Sequence, residues 1–96
     1  MKKIVIKDEF KSDWISRAAG ERLRHMIVEA TAHGEPVEID FTHCVVASTS
    51  FFDEGVAKLT ELGWTQEKLN TLVRFKNIYK KDRLVLEKMC QNRGMK

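Results

Sequence analysis

Three hydroxyl-bearing residues, Ser48, Thr49 and Ser50, stand just ahead of an acidic pair, Asp53 and Glu54. A hydroxyl can accept a phosphoryl group. At a helix start, unpaired N–H groups and the positive end of the helix dipole stabilise the added negative charge. Ser50 with Asp53 three residues on is close to a capping box, Asp replacing the preferred Glu, which makes Ser50 the expected N-cap of a helix. Phosphate on Ser50 or Thr49 would add nearly two negative charges beside Asp53 and Glu54 and alter how a partner is met. Neighbouring residues on a helix diverge by about 100°, so the two carboxylates do not converge as an acid/base pair. They are expected in the first turn, favoured there by the dipole. Arg17 and Arg24 are the cations placed to pair with them, to engage an anion, or simply to be solvated.

Other chemistries lack their residues. His43 and Cys44 are neighbours, but on an extended connection adjacent side chains point apart, which opposes a thiol–imidazole pair. No G-x-x-x-x-G-K or G-x-G-x-x-G phosphate loop occurs. His25, His33 and His43 fall in three segments without metal-ligand spacing, so neither metal nor cofactor is expected. Cys44 and Cys90 sit among apolar residues and read as buried free thiols. The expectation is a binding protein and not an enzyme.

A chain of 96 residues with 43% hydrophobic and 32% charged composition suits one globular domain, 1–96. No apolar run approaches the ~20 residues that span a bilayer. The segment from Met1 to Phe10 is charged and lacks the apolar centre of a signal peptide, which points to the cytoplasm and away from membranes. The net charge of +3 is uneven: residues 1–63 carry 8 basic against 11 acidic side chains, residues 64–96 carry 9 against 3. The basic region Arg74, Lys76, Lys80, Lys81 and Arg83 is therefore the place where nucleic acid would be contacted if the chain binds it. Trp14, Phe51, Phe52 and Trp64 read as core, or as an interface where exposed together.

The elements that must position these residues follow from periodicity. Ile4-Val5-Ile6 reads as a strand. Ser12-Asp13 signals the start of a helix with Ile15, Ala19, Leu23, Met26, Ile27 and Ala30 on one face, closed by Gly34. Gly20, inside that helix, suggests close backbone packing. Pro36 to Phe41 alternates, with Val37, Ile39 and Phe41 inward. Thr42 to Ala47 is a connection into a second helix bearing Phe52, Val56, Leu59 and Leu62, closed by Gly63. Thr65 caps a single turn, or the 64–70 region adds a pairing to the sheet. Thr71 to Phe75 is the third strand, and a last helix from about Tyr79 to Asn92 presents Leu84, Val85, Leu86, Met89 and Cys90, with Gly94 closing it. Alternating strands and helices predict a small α/β domain with a short, mostly parallel sheet packed against helices. A homodimer is compatible with so small a sheet.

Four segments in order, Ser16-Arg17-Ala18-Ala19-Gly20 with Leu23-Arg24, Val37 to Phe41, Ser50-Phe51-Phe52-Asp53-Glu54, and Phe75-Lys76-Asn77 with Asp82-Arg83, resemble a bacterial STAS-like domain family of unknown function over roughly residues 12–92. The resemblance implies a βαβαβα fold and a regulatory module that binds another protein. The related STAS domains include anti-anti-sigma factors, which bind an ATPase-like kinase and are switched by phosphorylation in a D-S-S-G stretch between a strand and a helix. That stretch falls on Ser48-Thr49-Ser50-Phe51, with Ser48 in place of the aspartate and Phe51 in place of the glycine. The implied phosphoacceptor is Ser50, with Thr49 beside it. Thr49, Ser50, Phe51, Asp53, Glu54 and Arg17 then form the implied interaction surface.

Overall fold

The computed structural model describes residues 1–96. Its elements run β1 (Lys2–Val5), α1 (Ile6–Phe10), α2 (Arg17–Ala30), β2 (Val37–Asp40), α3 (Thr49–Gly55), a 3-10 helix (Ala57–Leu62), α4 (Gln66–Leu72), β3 (Val73–Lys76) and α5 (Lys80–Asn92). The three strands form one parallel sheet in the order β1-β2-β3, pairing Ile4 with Ile39 and Ile39 with Phe75. This is the expected small α/β architecture with helical crossovers between parallel strands.

Register explains why β2 alternates instead of being apolar throughout. Val37 and Ile39 are fully buried, while Glu38 and Asp40 belong to the opposite face with Lys3, Arg74 and Lys76. That face is open, and its charges pair across the strands: Lys3 with Glu38 at 3.7 Å and Asp40 at 3.8 Å, and Lys76 with Glu38 at 3.7 Å. A parallel sheet covered on both sides would show continuous apolar strands. Here one side is left to water.

On the covered side, 21 buried hydrophobic residues make one core. All five phenylalanines form a continuous chain through it. Phe10 meets Phe51 edge-on at 5.7 Å, Phe51 meets Phe52 at 5.9 Å, and Phe41 links Phe52 to Phe75 at 6.1 and 6.4 Å. Gly20 is the expected close approach: a Cβ there would lie 2.7 Å from the Phe51 carbonyl oxygen and 2.8 Å from Glu54 Cβ, so α2 and α3 touch backbone to backbone.

Several boundaries differ from the sequence reading. Ile6 does not extend β1; it opens α1, where Ile6 and Phe10, four apart, share the buried face. Ser12-Asp13 does not cap α2. Ser16 does, its hydroxyl accepting from the Ala19 N–H, while Asp13 holds Ser16 in place through its N–H and Oγ. Ile15 therefore precedes the helix and is 55% exposed. Leu62 and Leu84 are also exposed and not core. The helix at residue 49 ends at Gly55 and continues as the 3-10 helix, with Gly63 left-handed at φ 83° as expected. The 64–70 region adds no strand; Thr65 caps α4, which runs on through Thr71 and Leu72, and β3 starts at Val73.

Candidate interaction surface

Loop 41–48 leaves β2, and its conformation is fixed by side chains far away in sequence. Cys44, Val46 and Ser48 turn inward, while Val45, Ala47 and Thr49 are exposed. Asp82, in the first turn of α5 and only 2% exposed, accepts the Val46 N–H at 2.8 Å on one carboxylate oxygen and the Ala47 N–H at 2.8 Å on the other. From the other side, Trp14 Nε1 donates to the Val45 carbonyl at 3.1 Å and Ser48 Oγ donates to the Ile15 carbonyl at 2.6 Å. Ala47 is held at φ +47°, a left-handed conformation that costs an alanine about 1 kcal/mol or more. The two charge-assisted bonds from Asp82 offset it.

Ser48 is the N-cap of α3: its hydroxyl accepts the Phe51 N–H at 3.2 Å. This corrects the assignment of Ser50, which lies two positions further on, inside the helix, and makes no cap bond. Because the helix starts at Thr49, Asp53 and Glu54 fall beyond its first turn, so the dipole is not what holds them. Arginines are. Arg93 donates from Nε to Asp53 Oδ1 at 2.8 Å and from Nη2 to Oδ2 at 2.7 Å, and Arg17 Nη1 bridges Asp53 at 3.1 Å and Glu54 at 3.2 Å. Glu54 also accepts from Arg24 at 3.1 Å and Lys58 at 3.2 Å, and Arg93 reaches Glu61 at 2.8 Å. The hydrogen bond from Arg93 leads in holding the Asp53 carboxyl at about 2. Burial opposes ionisation of Glu54, yet Arg24 and Lys58 keep its carboxyl below the usual range.

The acidic pair is thus a brace tying α2, α3 and α5 together. Arg17, half exposed, is its outer member. Phe51, expected on the interaction surface, is fully buried and belongs to the core. Of the residues singled out there, Thr49 is exposed and Ser50 half-buried.

Thr49 opens onto a groove of about 580 Å³ between the loop and α5, lined by Val45, Ala47, Tyr79, Lys80, Lys81 and Val85, with Asp82 at its base. The groove lies beyond the carboxyl ends of β2 and β3, the side of an open parallel sheet where ligands are generally met. Beside it, Asp40 Oδ1 accepts from the Thr42 N–H, Thr42 Oγ1 and Asn77 Nδ2, which join the ends of these two strands. The Thr42 hydroxyl foremost, with Asn77, holds the Asp40 carboxyl at about 2.

The basic residues of the last third are dispersed. Arg74 and Lys76 lie on the open sheet face among Glu38 and Asp40. Arg83 donates to the Phe75 carbonyl at 3.3 Å, and Lys80 and Lys81 border the groove. Cys44 and Cys90 are buried free thiols. Burial pushes the Cys90 thiol to about 11 and raises Cys44, the reverse of what a nucleophile needs. His43 points to solvent. No helix is long and apolar enough to cross a membrane.

Asp82, Ser48 and Arg93 were not marked by local sequence as site-forming. Ser48 carried a signal only as one of three cap-forming hydroxyls in a row, and Asp82 as the one acid in the basic run Lys80-Lys81-Asp82-Arg83.

The sequence model of a family described as a STAS-like domain of unknown function (DUF4325) matches residues 19–83. No curated protein and no solved structure matches the chain.

Proposed function

The chain belongs to this STAS-like family, and on that premise we propose that it is a regulatory module that binds another protein through the groove between loop 41–48 and α5. The observation that carries the reading is the rigid presentation of Val45, Ala47 and Thr49. Asp82, Ser48 and Trp14 hold a strained loop so that these three side chains face a concave, largely apolar surface. A loop kept in one conformation by buried bonds loses little entropy when a partner docks.

The partner is an ATPase or kinase-like regulator that phosphorylates the start of α3 and is released by the modification. Thr49 is the better acceptor of the two hydroxyls proposed, because it is exposed and shares the groove with Lys80 and Lys81. Phosphate there would draw on both ammonium groups and repel an acidic partner. Ser48 is unsuited, since its hydroxyl is engaged at both ends. The module would act in the cytoplasm, where its buried thiols stay reduced. Pull-downs with wild-type protein, Thr49→Glu and Ser50→Glu test the switch. Loss of one partner from the Thr49→Glu set supports it, and identical partner sets for all three remove it.

A further inference from the structure

The outer stripe of α5 has a pattern of its own. Lys81, Leu84, Val85 and Lys88 recur at steps of three and four, so they share one side of the helix. The opposite stripe, Asp82, Leu86, Met89 and Cys90, packs inward. Leu84 is 57% exposed, and the neighbouring apolar residues outside the helix, Val45 and Tyr79, are 56% and 47% exposed. Apolar side chains thus continue from the groove along α5, with a lysine before and after them.

These lysines are free. Lys3, Lys58 and Lys76 each meet a carboxylate within 4.0 Å, as do Arg17, Arg22, Arg24 and Arg93. Lys80, Lys81 and Lys88 meet none. The one carboxylate in the groove, Asp82, is buried and bonded through both oxygens to backbone N–H groups. What a partner meets is therefore an apolar floor rimmed by unpaired ammonium groups, a complement for negative charge combined with apolar side chains.

We infer that the groove and the outer stripe of α5 receive an acidic segment of a partner protein with large apolar side chains spaced to fill the floor. This rests on the groove being the docking face and adds the partner's chemistry. The apolar residues supply affinity, and the carboxylates supply register and association rate.

A displayed library of short random peptides, selected on the intact protein, tests the inference. The expected winners carry net negative charge with two or more large apolar residues, and on titration they shift the amide signals of Val45, Ala47, Tyr79 and Val85. Lys80→Glu with Lys81→Glu should weaken a winning peptide by roughly tenfold and steepen the loss for its most acidic members. Val85→Asp should weaken it by about tenfold or more. The lysine reversal is a surface change, whereas Val85 is half-buried against the core; an unaltered amide spectrum of β2 checks that both variants fold.

Neutral or basic winners that bind in the groove overturn the acidic chemistry and leave the docking reading standing. Acidic winners unaffected by the double lysine reversal do the same. Peptides that bind elsewhere, or no enrichment at all, overturn both. So does a concentration-dependent dimer that closes the groove over a second copy, or single-stranded nucleic acid competing for these residues more tightly than the peptides.

Discussion

Arg93 grips Asp53 at two points, Nε on Oδ1 at 2.8 Å and Nη2 on Oδ2 at 2.7 Å, across forty residues of chain. The planar guanidinium matches the carboxylate plane, and the pair ties the end of α5 to the middle of α3. The clamp makes stability depend on acid. The Asp53 carboxyl titrates at about 2 in the folded chain, below its ordinary 3.8. Its contribution is complete above the unfolded value and is lost as pH falls from about 4 through about 2. Asp53→Asn should cost roughly 1–2 kcal/mol at neutral pH and almost nothing at about pH 2. Denaturant unfolding at the two pH values checks this; an equal cost at both would mean that Asp53 acts by shape and not by charge.

Gly20→Ala should destabilise, against the helix propensity that ordinarily favours alanine by about 1 kcal/mol. The new Cβ would meet the Phe51 carbonyl oxygen at 2.7 Å, and backbone cannot swing aside. A net cost of about 1–3 kcal/mol is expected. Thermal unfolding measures it, and a rise in the midpoint would show that α2 and α3 can separate freely.

Asp82→Ala should leave the Val46 and Ala47 N–H groups without acceptors and cost roughly 2–4 kcal/mol. Hydrogen exchange at those two amides should accelerate well beyond any change at Ile39. Exchange that rises uniformly would indicate global unfolding instead of release of the loop.

Ala47→Gly should be neutral or stabilising by up to about 1 kcal/mol, since glycine adopts φ +47° without the steric cost. The same change at exposed Ala18 in α2 should cost about 1 kcal/mol. The pair, compared by chemical denaturation, isolates the strain stored in the loop.

Nucleic acid should bind weakly and without a steep salt slope. Arg74 and Lys76 share their face with Glu38 and Asp40, whereas Lys80 and Lys81 belong to the groove. A shift assay at about 50 mM salt should show no complex with DNA or RNA. Tight binding that falls steeply as salt rises would restore the basic last third as a functional surface.

Much of the architecture was legible because its signals are local. The alternation of Val37, Ile39 and Phe41 is visible only because the far side of the sheet faces water. Gly20 inside a helix announced a tight crossing. The errors have local causes too. Ile6 carries strand propensity, but its partner in burial is Phe10, hidden in a charged run. Ser48, Thr49 and Ser50 are equivalent as caps by type, and a distant acceptor, the Ile15 carbonyl, favours Ser48. The bonds that shape the site, Asp82 to the loop and Arg93 to Asp53, join residues more than thirty positions apart. Spacing within one segment carries no trace of them.

The water-facing side of the sheet has a consequence for how this scaffold can diverge. Glu38 stands between Lys3 and Lys76 and answers both, with Arg74 opposite it in register. Replace that one glutamate by a neutral residue, and three like charges would line up with Asp40 alone against them. A single codon thus separates a self-neutralised flank from a cationic strip attractive to polyanions, with no residue of the hydrophobic interior disturbed.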